Sequence, residues 1–113
     1  MSHTELASEV GLKGVGRLLI DGELVSTRDS FPSLDPTTGA ELAAVPVATP
    51  EDVDAAVAAA RRAFDTTDWA HNPGRRARVL GALAALLEKH ASTLATIEAL
   101  DIGMLHMAAQ RFG

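Results

Sequence analysis

Four histidines, His3, His71, His90 and His106, are the side chains best able to hold a metal or pass a proton near neutral pH. None is paired at i, i+4 and none has a carboxylate at ligand spacing, so their positions describe no metal site. Glu98 and Asp101 lie three apart and would share a helical face. Two carboxylates can divide acid and base roles, but at a helix end such a pair is more often solvated or capping. Arg75, Arg76 and Arg78 put positive charge at a helix start, the end that the helix dipole disfavours for cations. A formal net charge of −5 and the lack of an aromatic platform favour a solvated face or a protein contact over nucleic acid. Gly11, Gly14 and Gly16 invite a phosphate-loop reading. A dinucleotide fingerprint must follow a strand and open a helix, whereas a strand follows here. With no cysteine there is no thiolate nucleophile, disulfide or thiolate metal site. No catalytic, cofactor-binding or metal-ligating residue is assigned.

The elements around these residues carry clearer signals. Arg17–Val25 reads as a hairpin about Asp21-Gly22, a pair suited to a type I′ turn. Phe31–Leu34 is a third extended piece, which Pro32 confines to an edge. Pro36–Gly39 is a turn, and Glu41–Val47 a short strand. Thr49, Pro50, Glu51 and Asp52 mark a helix start. Val53, Ala56, Val57, Ala60 and Phe64 then form one apolar face. Asn72-Pro73 opens a second helix with apolar residues from Val79 to Leu100. A break is expected near His90–Ser92, with Ser92 recapping the chain, and Gly103 ends the run. Gly81 inside the helix implies close packing or tolerance. Residues 104–113 show no decisive period.

A chain of 113 residues is one domain at most. Hydrophobic residues make up 47%, but many are alanine and aromatics are only 4%, so the core buries little area per side chain. Residues 1–57 hold three basic and ten acidic groups, and residues 58–113 hold seven and five, so the acidity lies early. The opening residues lack the basic and apolar regions of a signal peptide, and no run reaches the roughly 20 apolar residues of a membrane helix. A cytoplasmic protein with no membrane or nucleic-acid partner is expected.

Ile20-Asp21-Gly22-Glu23, Leu34-Asp35-Pro36-Thr37-Thr38-Gly39 and Glu51-Asp52-Val53-Asp54 through Arg62-Ala63-Phe64 fall in a characteristic order. From about Leu18 to Gly103 the chain closely resembles the N-terminal segment of the NAD(P)-dependent aldehyde dehydrogenase superfamily. Two stretches depart from the family pattern. Leu100-Asp101-Ile102-Gly103-Met104-Leu105 lacks the usual Lys-Pro, and Pro73-Gly74-Arg75-Arg76-Ala77 carries Arg75 in place of an acid.

The resemblance implies an α/β family fold with a Rossmann-like cofactor domain, of which this chain is a part. Alone it is expected to be α+β, a short N-terminal antiparallel β-meander followed by two to three amphipathic helices. Residues 1–16 are a flexible lead-in and residues 17–113 a truncated piece of the cofactor-binding domain. The family oxidises aldehydes with NAD or NADP through a cysteine thiolate and a water-activating glutamate. Neither can be carried over to a residue here, so the chain is expected to be inactive and to bind no cofactor alone. The expected partners are the remainder of a dehydrogenase chain and, in the complete enzyme, further copies in a homo-oligomer. The position of Leu34 can lend a backbone carbonyl to a monovalent-cation site in the family, but an ordinary strand residue is the reading favoured here. The second functional reading is a self-standing α+β interaction module without enzymatic activity.

Overall fold

Asp21 and Gly22 adopt φ values of 54° and 81°, the left-handed pair that a type I′ turn requires. They join β1 (Leu18–Ile20) to β2 (Glu23–Val25) in antiparallel register, with Leu19 opposite Leu24. The computed structural model describes residues 1–112. A second antiparallel pair follows, β3 (Ser30–Leu34) with β4 (Glu41–Pro46), Phe31 opposite Val45 and a bulge between Ser33 and Leu34. This sheet has only two strands, so Pro32, lacking an N–H, leaves no third strand unpaired.

The strands therefore make two hairpins and not one continuous meander. The Asp29 carbonyl accepts the Val47 N–H at 2.9 Å, which prolongs the second hairpin beyond the Ser30–Pro46 pair.

Among the described residues, five α-helices accompany the strands: α1 (His3–Glu9), α2 (Pro50–Thr66), α3 (Pro73–Lys89), α4 (Ala91–Ile102) and α5 (His106–Phe112). A 3₁₀ turn, Asp68–Ala70, links α2 to α3. Thr49 caps α2 as expected, and Asp52 closes a capping box by accepting the Thr49 N–H at 2.9 Å. Asn72 caps α3 by accepting the Arg75 N–H at 2.9 Å. The break falls at His90, but Ser92 does not recap the chain. His90 is the N-cap of α4, without a side-chain bond, and the Ser92 carbonyl instead accepts the Thr96 hydroxyl at 3.0 Å. Gly103 ends α4 in the left-handed region at φ 71°.

Two helices lie where none was expected. Inside the segment read as a flexible lead-in, Ser2 and Glu5 form a capping box, Ser-x-x-Glu, that starts α1. Ala7 of α1 is buried with Leu42 and Leu100, flanked by Leu6, Val10 and Leu12, and this contact fixes the helix. At the other end α5 packs on α4, where Ala95 and Ala109 are buried. Small residues meet there, which is why no strong apolar period marks the segment.

The core is thus built from α1, β4, α4 and α5. In contrast, α2 and α3 bury no residue at all.

Candidate functional site

Asp35 is the only buried charged residue among those described, at 1% exposure. It stands where β3 enters the turn to β4. Its carboxylate accepts the Thr37 N–H at 2.8 Å and the Thr38 hydroxyl at 2.9 Å, closing an Asx-type turn. The third partner comes from α1: His3 Nδ1 lies 2.5 Å from Asp35 Oδ2. Burial works against the ionised carboxyl, but the bonds from Thr37, His3 and Thr38 outweigh it and lower the pKa to about 2. The half-exposed His3 ring then opens onto a cleft of about 530 Å³ that His106, Thr96 and Leu105 also line.

The remaining histidines do not join this pair. His106 Nε2 meets the Thr96 hydroxyl at 3.2 Å, His71 closes the 3₁₀ turn, and His90 separates α3 from α4. No cluster of three or more metal-ligating side chains occurs among the described residues.

Glu98 and Asp101 diverge as well. Asp101 accepts the Ser33 hydroxyl at 2.5 Å and ties α4 to β3, whereas Glu98 lines a separate cleft with Leu87 and Leu94. An acid and base acting on one substrate need to converge, and these do not.

The arginine cluster has structural employment. Arg75 bonds Asp68, and Arg76 donates to the carbonyls of Trp69 at 2.6 Å and Ala70 at 3.1 Å. The Asn72 side chain and Arg75 together hold the Asp68 carboxyl below its ordinary range. Positive charge at the α3 N-terminus is thereby offset by the 3₁₀ turn in front of it. Arg78 stays exposed.

The glycine run makes no phosphate cradle. Gly14 accepts the Ala44 N–H and Gly16 donates to the Ala44 carbonyl, both at 2.9 Å, so the run lies along β4. One helix, α2, does follow a strand as a nucleotide-binding helix would. Its first turn carries Glu51 and Asp52, and the capping box occupies the amide of Asp52, so a phosphate would meet negative charge. Leu34 sits at the β3 bulge with its side chain half exposed.

Sequence reasoning missed the His3–Asp35 pair, because 32 residues separate the partners and no local spacing rule spans them. The Asx turn was legible: aspartate before Pro-Thr-Thr-Gly is a turn signature.

Residues 24–111 match the sequence model of the aldehyde dehydrogenase family. An aldehyde dehydrogenase of Aspergillus niger is 46% identical over 88 residues, which are 76% of this chain and 18% of that protein. The cytosolic 10-formyltetrahydrofolate dehydrogenase of Xenopus laevis is 38% identical over 96 residues, 82% of this chain and 11% of the relative. Among solved structures, the NAD+ complex of aldehyde dehydrogenase from Bacillus cereus superposes with a TM-score of 0.80 at 40% identity. That superposition covers 85% of this chain and 20% of the other. The chain spans between 11% and 20% of the length of the first curated relatives it matches. With the family's sequence pattern and its local fold both present, the chain belongs to the aldehyde dehydrogenase family.

Proposed function

We propose that this chain serves as the opening structural segment of an NAD(P)-dependent aldehyde dehydrogenase, and that alone it neither binds the cofactor nor oxidises aldehydes. The observation carrying this reading is that α2 and α3, which belong to the matched region, bury no residue. An amphipathic helix of 17 residues is stable chiefly through the face it buries, so two such helices need further polypeptide to pack on. The cover proposed is the cofactor-domain polypeptide of the same enzyme, in a cytoplasmic oligomer.

The chain's own residues supply shape and not chemistry. Thr49 and Asp52 fix the start of α2, while Asp35, His3 and Asp101 hold the turn, α1 and α4 together. The family's covalent step needs a thiolate, and a chain without cysteine has none to offer.

Incubating the purified chain with a panel of aldehydes and NAD or NADP tests the reading. No absorbance rise from reduced cofactor is expected. Turnover above a heat-killed control would refute it.

A further inference from the structure

We infer that the free chain forms an antiparallel two-fold dimer through α2, seated on the Val53–Phe64 stripe. The stripe residues Val53, Val57, Ala60 and Phe64 are spaced four, three and four apart, a heptad-like seam that reads the same from either end. Its midpoint falls between Ala58 and Ala59. A two-fold axis there sets Val53 against the partner's Phe64 and Val57 against the partner's Ala60.

The face is free to be used in this way. Val57 is 63% exposed and Phe64 52% exposed. With Ala60 and Arg61 they line an open groove of about 340 Å³. The β1–β2 hairpin runs along one edge of this face and leaves Val57, Ala60 and Phe64 exposed. Its strand β1 borders Asp52, Val53 and Ala56, and its tip bonds Arg62 through Asp21 at 2.6 Å.

Charge decides the direction of pairing. Asp54 and Arg61 lie seven residues apart on one flank of the stripe, about 10 Å along the axis. A parallel pair would set Asp54 against the partner's Thr49 and Arg61 against the partner's Ala56, with no ion pair. The antiparallel pair places each Asp54 beside the partner's Arg61, twice over by symmetry. Within its own helix Arg61 touches only Asp65, at 3.6 Å between exposed groups, and stacks over Phe64 at 5.5 Å, so it is available to a second carboxylate. The opposite flank carries Ala56, which borders β1, and the exposed Ala63.

Sedimentation velocity over a concentration series tests the seam. The chain should show a reversible monomer–dimer equilibrium. Asp54→Arg and Arg61→Asp should each weaken it at least about tenfold, and the double exchange should restore it. A generally damaged fold would not be rescued by a second substitution.

Because the chain has no cysteine, Val53→Cys and Phe64→Cys chains can be mixed and oxidised without background. The expected product is the mixed 53–64 disulfide. In an antiparallel pair the two copies of position 53 are about 16 Å apart along the axis, beyond disulfide reach. A monomer at every concentration, an association indifferent to the charge variants, or a 53–53 disulfide would overturn the inference. A monomer without turnover would do so while leaving the proposed function standing.

Discussion

At the scale of single residues, Asp35 shows how a buried charge can be sustained. Three donors, from Thr37, Thr38 and His3, replace the water that burial removes. Because its folded pKa is depressed to about 2, the stability it contributes is fully present above the unfolded value near 3.9 and is lost as pH falls through about 2. Exchange protection of the Thr37 and Gly39 amides, corrected for intrinsic rates, should therefore fall between about pH 4 and about pH 2. In Asp35→Asn it should be low throughout and flat across that window. Protection in the native chain that is unchanged down to pH 2 would contradict this linkage. Thr49 gives a second test. Its hydroxyl accepts the Asp52 N–H, so Thr49→Ala should lose helix content and cost about 1 kcal/mol. Unaltered circular dichroism and thermal midpoint would show that the cap does not matter.

At the scale of elements, two glycines in helical segments make opposite predictions. A methyl group at Gly81, inside α3, would meet nothing within 4 Å. Gly81→Ala should stabilise by roughly 0.5–1 kcal/mol, since alanine loses less entropy in a helix. At Gly103 the backbone is left-handed, and a Cβ would approach Pro36 Cγ to 2.9 Å. Gly103→Ala should destabilise by about 1 kcal/mol or more. Thermal midpoints of the two variants should move in opposite directions; a common direction would mean that α3 or the end of α4 is packed differently.

The elements that were legible in sequence share one property: their signals are local. Asp21-Gly22, Thr49-Pro50 and Asn72-Pro73 each announce a turn or cap within a few residues. Helix α5 was invisible because alanine-on-alanine packing at Ala95 and Ala109 leaves no strong apolar period. Helix α1 carried a readable Ser2–Glu5 box, but its docking depends on Leu42 and Leu100, far away in the chain. The candidate site divides the same way. The Asx turn at Asp35 could be read, and the histidine that completes it could not.

At the scale of the whole molecule, the radius of gyration is 17.2 Å, against about 13 Å for a compact domain of 100 residues. The excess reflects α2 and α3 standing clear of a small core. No helix among the described residues is long and apolar enough to cross a membrane. The free chain should keep its helical circular dichroism but melt broadly, because so little of it is cooperatively packed. A sharp transition of a monodisperse monomer would instead favour a self-standing interaction module.

Restoring the missing cover is the most direct test. The segment of the Bacillus cereus aldehyde dehydrogenase that this chain matches is exchanged for residues 24–111, and NAD reduction is followed with an aldehyde which that enzyme oxidises. The chimera should be soluble and reduce NAD above a heat-killed control, with the free chain showing none. An insoluble or inactive chimera, or turnover by the free chain, would contradict the assignment of these helices as the opening segment of a dehydrogenase.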